Sequence, residues 1–242
     1  MGAGLRVAAL ELPAAWGDVE GALARVERLL AAAPCDLALL PEASLTGYVS
    51  PFGDFDPTAM AEPLGGPTHA RLAELARAHR TFLAAPLIER AGARFYNAFV
   101  VLDREGETVG HYRNRHPWIP ETWATRGDLP YPELDIDGLR ATLAVCYDVH
   151  FVAREAAALL GQVDLLLFPS AWVEEEDSRP QRLPALARRF GVTVANANWG
   201  PGQPQVWGQG SSAIYDSQGN EIHHEIRNGR VDAEVAPRTL FG

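Results

Sequence analysis

Three stretches of this sequence carry residue types suited to acyl transfer. Cys146 ends the apolar run Leu143-Ala144-Val145 and is followed by Tyr147-Asp148. A cysteine at a strand-to-helix turn lies near backbone N–H groups and a helix start, which favour the thiolate and can hold an oxyanion. Taken alone, a buried cysteine is more often core filling than a nucleophile. Glu42 follows Leu40-Pro41 and precedes Leu45-Thr46-Gly47-Tyr48. A carboxylate at the carboxyl end of a buried strand can act as a general base, but taken alone a helix-start or loop glutamate facing water is the stronger reading. The third stretch runs from His111 to Trp123 and mixes Trp118 and Trp123 with prolines and charges around Asn114, His116 and Glu121. That density reads as an ordered loop lining a pocket, against a plain surface loop. A Cys–His pair built on His150 or His116 is a competing arrangement, although His150 is only four residues from Cys146 and such short-range pairs are incidental as a rule.

The elements that must position these residues alternate between strand and helix. Strands are expected at Leu5 to Leu10, Asp36 to Leu40, Thr81 to Leu87, Arg140 to Cys146, Asp164 to Phe168 and Val192 to Asn196. Helices are expected from Asp18, as N-cap, to Leu30, over Pro67 to His79, over Phe151 to Leu160 closed by Gly161, and over Gln181 to Phe190. Phe95 to Asp103 with Thr108 to Arg113 reads as a hairpin, and Ser211 to Tyr215 with Gly219 to Glu225 as a second. Asp36-Leu-Ala-Leu-Leu-Pro41-Glu42 is echoed by Asp164-Leu-Leu-Leu-Phe-Pro169-Ser170. A βα unit used twice would set both polar ends where α/β folds bind ligands. The mixture predicts an α/β protein, a layered sandwich of sheets covered by helices, in one domain over 1–242.

Composition narrows the partners. The 242 residues are 47% hydrophobic and 21% charged, with a formal net charge of −10. That charge repels phosphate backbones and anionic lipid, so neither nucleic acid nor a membrane is an expected partner. No apolar run is long enough to span a bilayer, and Met1 to Arg6 lacks a signal-peptide pattern. The two cysteines, Cys35 and Cys146, are expected as free thiols in a reducing cytoplasm. No Cys/His cluster supports a metal site.

Taken together the motifs resemble the nitrilase (carbon–nitrogen hydrolase) superfamily. The resemblance rests on Pro41-Glu42 with Leu45-Thr46-Gly47-Tyr48, on Tyr112-Arg113-Asn114-Arg115-His116, and on Cys146-Tyr147-Asp148 with Phe151. Phe168-Pro169-Ser170-Ala171-Trp172, Asn196-Ala197-Asn198 and Gly210-Ser211-Ser212 continue it in the same order. It implies a four-layer α-β-β-α sandwich. It implies Cys146 as nucleophile on an amide, nitrile or N-carbamoyl carbon, Glu42 as general base and Glu121 as a second, positioning glutamate. The Tyr147 N–H would serve as oxyanion donor, with Asp148 a structural acceptor at the helix start. Tyr48, His116, Trp118, Tyr147 and Trp172 are the implied substrate-binding residues, and Trp199 joins Trp118 and Trp172 as a possible wall. The run from Pro117 to Glu121 is similar to segments of aliphatic amidases and formamidases, which points to a small amide. No metal or organic cofactor is implied, and a homodimer or larger assembly is.

Two positions depart from the family pattern. Val152-Ala153 follow Phe151 where the family has Pro-Glu, and Asn114 stands where the family has its catalytic lysine. Asparagine is shorter and uncharged, so Glu42 and Glu121 would share a cleft without a cation, and at least one pKa should rise. In an extended segment residues 112, 114 and 116 share a face, which turns Arg113 and Arg115 away and makes His116 the stand-in, charged if Glu42 or Glu121 lies beside it. A catalytically silent relative with a binding or assembly role is the alternative reading that Asn114 supports.

Overall fold

The structure, a computed structural model of the chain, describes residues 4–13, 15–202, 205–222, 225–227 and 229–238. Its first strand β1 (Leu5–Leu10) shows how the layers arise. Val7 and Ala9 point to one apolar cluster, Ala8 and Leu10 to another, and all four are fully buried. A strand buried on both faces needs this near-continuous apolar sequence. The same alternation holds in β2 (Leu37–Leu39) and in β3 (Phe82–Ala91), where Phe82 and Ala84 face opposite to Leu83 and Ala85.

These strands belong to a seven-stranded sheet with β4 (Arg94–Leu102), β5 (Thr108–Arg113), β11 (Glu225–Arg227) and β12 (Arg230–Val235), in the order β11-β12-β1-β2-β3-β4-β5. β1, β2 and β3 run parallel, and the β3–β4–β5 meander is antiparallel. The second sheet has the order β10-β9-β8-β7-β6. It comprises β6 (Leu134–Ile136), β7 (Leu139–Leu143), β8 (Leu165–Ser170), β9 (Thr193–Asn198) and β10 (Ala213–Tyr215). Here β7, β8 and β9 are the parallel centre.

Helices α1 (Val19–Ala32) and α2 (Pro67–His79) cover the outer face of the first sheet. In α1, Leu23, Val26 and Leu30 recur at helical spacing and are buried, each contributing roughly 1.5–3 kcal/mol. Asp18 caps this helix by accepting from the Gly21 N–H at 3.0 Å. Its carboxyl end is held by the buried Arg230, which donates to the Leu29 and Ala33 carbonyls at 2.8 Å. On the second sheet lie α3 (Val152–Glu155), α4 (Ala157–Leu160) and α5 (Arg179–Phe190). The layer order is α-β-β-α, as the resemblance implies.

Several boundaries differ from expectation. The strand before Cys146 stops at Leu143, and a 3-10 turn covers Cys146–His150. The helix expected over Phe151 to Leu160 is broken at Ala156 into two short pieces, although Val152, Ala156 and Leu160 keep one buried face. β6 is too short to stand out, whereas β12, with Val231, Ala233 and Val235 at period two, carried a signal that sequence reasoning missed. The last hairpin forms through β10 and the Tyr215–Glu221 bridge, and residues 223–224 of its second arm lie outside the described residues. Among the described residues no helix is long and apolar enough to cross a membrane.

Candidate active site

Parallel strands of both sheets point their carboxyl ends at one place. From the first sheet, β2 ends at Leu39 and the chain turns through Pro41-Glu42, delivering the Glu42 carboxyl into the interior with 1% exposure. From the second, β8 ends at Ser170, and the Ala171 N–H donates to Glu42 Oε2 at 2.9 Å. The two echoed segments therefore meet end to end, one supplying the carboxylate and the other the amide that holds it. The companion strand β7 leads to Cys146, which adopts a left-handed φ of 42°. A non-glycine residue held there costs on the order of 1–3 kcal/mol, and such strain persists where surrounding structure fixes it. The thiol lies within electrostatic and hydrogen-bonding reach of Glu42. Both cysteines are unpaired.

Asp148 fixes this turn. Its Oδ2 accepts from the Val145 N–H at 3.0 Å and from the Tyr112 hydroxyl at 2.6 Å, and its Oδ1 lies 2.8 Å from His116 Nδ1. It is wholly buried and acts on the helix start, as an acceptor.

Glu121 is buried beside Glu42, and the link between them is Asn97. Its Nδ2 donates to Glu42 Oε1 at 2.7 Å and to Glu121 Oε1 at 3.5 Å. The Tyr48 hydroxyl lies close enough to Glu121 to favour its charged form. The loop carrying Glu121 folds back against β5 at Gly127, whose Cα sits so close to the Arg113 carbonyl that a Cβ would lie 1.9 Å from it. Gly127 N–H donates to the Asn114 carbonyl at 2.8 Å. Sequence reasoning missed Asn97. The signal was present: a single amide inside the otherwise apolar strand Tyr96-Asn97-Ala98-Phe99.

Asn114 continues the β4–β5 register directly opposite Asn97, and its N–H donates to the Asn97 carbonyl at 2.8 Å. Directly opposed residues of an antiparallel pair share a face, so the two amides lie together. Asn114 Oδ1 accepts from the His116 N–H at 3.0 Å, and its Nδ2 is buried without a partner. The flanking arginines turn away, as the alternation predicts. Arg113 pairs with Glu89 and Asp128 over the Tyr96 ring, and Arg115 with Glu155 and the Leu129 carbonyl. His116 faces the interior but its carboxylate neighbours are Asp148 and Glu155, 2.8 and 3.2 Å away, with its ring stacked on Phe151; neither Glu42 nor Glu121 contacts it. No lysine can stand in elsewhere, because all 21 basic residues of the chain are arginines.

The electrostatic consequence follows from burial without a counter-charge. Desolvation, reinforced by the charge of Glu121, pushes the Glu42 carboxyl up to about 8. Desolvation likewise pushes Glu121 up to about 7, against the Tyr48 and Asn97 hydrogen bonds. Burial and the neighbouring Glu42 raise the Cys146 thiol well above its ordinary value. The resting pair therefore holds protons near neutrality beside a neutral thiol.

Tyr48, Trp118, Tyr147 and Trp172 wall a narrow cleft that Cys146 and Ala171 also line, with the exposed Glu174 at its rim. Trp199 stands behind it, donating Nε1–H to the Trp172 carbonyl at 2.8 Å and meeting Tyr48 edge-on. The Trp172 loop is further fixed by Asn198, whose Oδ1 accepts from the Trp172 N–H, and by the buried Arg179, bound to Asp177 and to the Gly208 and Gly210 carbonyls.

Residues 6–228 match the Carbon-nitrogen hydrolase family. A protein described as a hydrolase in the pqqF 5' region of Pseudomonas protegens is 29% identical over 90% of this chain and 78% of its own length. A formamidase of Bacillus cereus is 29% identical over 73% of this chain and 56% of its own, so the match spans little more than half of that enzyme. A solved structure of a glutamate-to-glutamine mutant of the amidase from Nesterenkonia sp. AN1, showing covalent addition of the acetamide moiety of fluoroacetamide at the active site cysteine, superposes with a TM-score of 0.84. It is 25% identical and covers 97% of this chain and 91% of that one.

Proposed function

The chain belongs to the carbon–nitrogen hydrolase family, and from that premise we propose that it hydrolyses a small non-peptide amide through a thioester on Cys146. One observation carries the proposal: a buried cysteine lines an aromatic-walled cleft, with the buried Glu42 carboxyl in hydrogen-bonding reach of its thiol. Glu42, as carboxylate, takes the thiol proton while Sγ bonds to the carbonyl carbon. The developing oxyanion lies against the Tyr147 N–H, since the first amides of a 3-10 turn have no partner within it. Collapse breaks the C–N bond, and Glu42 returns the proton to the departing ammonia. Glu42 then takes a proton from water, hydroxide adds to the thioester, and the acid leaves with the thiol restored. Glu121, fixed by Tyr48 and Asn97, holds the substrate amide and the water. Trp118 and Trp172 limit the acyl group to a few carbons, which favours an amide over larger N-carbamoyl or nitrile substrates. The same proposal includes one domain, a homodimer or larger assembly, and a cytoplasmic setting.

The test is ammonia release from formamide, acetamide, propionamide, small nitriles and N-carbamoyl compounds, with Cys146→Ala as control. Release from the short amides that Cys146→Ala abolishes is expected. No release from any of them supports the second reading, a silent family member with a binding role, which the lysine-free site favours.

A further inference from the structure

We propose that the cleft selects small amides carrying a positive charge, an ammonium group close to the scissile carboxamide; this rests on the reading of Cys146 and Glu42 as the hydrolytic pair. Three independent features support it. First, the two buried carboxyls near Cys146 are held by neutral donors only: the Asn97 amide, the Ala171 N–H and the Tyr48 hydroxyl. Among the described residues no arginine or histidine bonds to either, and the chain has no lysine. The nearest cations are committed elsewhere: Arg113 to Glu89, Arg115 and His116 to Glu155, Arg179 to Asp177. Arg126 lines the same recess as Glu121, but its Nε donates to the Arg115 carbonyl and it forms no hydrogen bond with Glu121. Neither carboxyl is bonded to a positive charge.

Second, Glu121 has an oxygen without a partner. The residue is 2% exposed, its Oε2 carries no hydrogen bond, and it lines a recess that shares Trp118 and Tyr147 with the cleft. A buried acceptor left open in this way fits an N–H donor brought by the ligand. Third, the approach is acidic and aromatic. Glu174 sits on the rim, Glu175 and Glu176 beside it are exposed, and the walls are Tyr48, Trp118, Tyr147 and Trp172. Ring faces attract ammonium groups, and an acidic mouth concentrates cations. A neutral amide leaves the charge deficit in place, whereas an ammonium amide supplies the missing charge itself.

The matched pair glycinamide and propionamide tests this, because an ammonium replaces a methyl on otherwise equal frames. β-Alaninamide and butyramide repeat the comparison one carbon longer. The expected result is a kcat/KM about tenfold or more higher for the charged member of a pair, shrinking with added salt and in the Glu174→Gln/Glu175→Gln/Glu176→Gln variant. Equal or better turnover of the neutral members would overturn the inference while leaving the hydrolytic reading intact. A second readout needs no turnover: alkylation of Cys146 by 2-bromoethylamine, iodoacetamide and iodoacetate, each rate normalised to a small free thiol and the site confirmed by peptide mapping. The order cationic, neutral, anionic is expected. A flat or reversed order refutes charge selection, and absence of amide turnover alongside the expected order counts against the hydrolytic reading alone.

Discussion

Asn114→Lys is expected to raise kcat on small neutral amides about 100- to 1000-fold, the range lost when one strong oxyanion donor is removed from an acyl-transfer site. Position 114 lies directly opposite Asn97, on the face that holds Glu42 and Glu121. A lysine there reaches further than asparagine and places an ammonium between two buried carboxyls. It stabilises the oxyanion, and it favours the charged forms of both glutamates. The acid limb of the pH–rate profile, set in the wild type by the raised Glu42 and Glu121 carboxyls, should therefore move to lower pH. Steady-state ammonia release at pH 6 to 9 measures both effects. If the folded variant gains neither rate nor a shifted limb, the missing cation does not limit this site. The preference for cationic amides should shrink in the same variant.

Glu42→Gln should act in two opposite senses. Activity is expected to fall about 100- to 10,000-fold, because Gln cannot accept the thiol proton. Stability at pH 8 is expected to rise. Glu42 and Glu121 have raised values in the folded chain, so it keeps protons that the unfolded chain has released, and the free energy of unfolding falls as pH climbs from about 4.5 through 8. A neutral amide at 42 removes one of these groups from that linkage. Its carbonyl can accept from the Ala171 N–H, and its NH2 can donate to Asn97 Oδ1, which now has no partner, once the Asn97 amide turns over. The melting-temperature difference between Glu42→Gln and wild type should be positive at pH 8 and shrink towards pH 4. His69 and His150 have lowered values and act in the opposite sense below about 6.5, but they are common to both proteins and cancel. A variant that is both active and no more stable at pH 8 would remove Glu42 as a buried base.

Much of this site was legible because its parts sit at ends of elements. Pro41-Glu42 and Cys146-Tyr147-Asp148 terminate apolar strands, and apolar strands are the strongest local signal in an α/β sequence. Even the weak echo between Asp36–Glu42 and Asp164–Ser170 was spatially meaningful, since their ends touch at Ala171 and Glu42. The alternation that turns Arg113 and Arg115 away from the interior was also readable from a period of two. What local pattern does not contain is the partner chosen across the fold. The partners of His116 are of this kind, since only the packing of Phe151 and the α3 segment assigns it to Asp148 and Glu155. Asn97 was missed for the same reason: its importance comes from carboxyls 55 and 24 residues away. The break at Ala156 left no trace, because the buried face of Val152, Ala156 and Leu160 is the same for one helix or two.

The central claim is that Cys146 carries the acyl group, and intact-protein mass spectrometry of samples acid-quenched during turnover tests it most directly. With propionamide or glycinamide, a fraction of the chain should gain the mass of the acyl group on the peptide containing Cys146. That adduct should be absent from Cys146→Ala and short-lived once substrate is exhausted. Sustained ammonia release without any adduct, or release that survives Cys146→Ala, would contradict it.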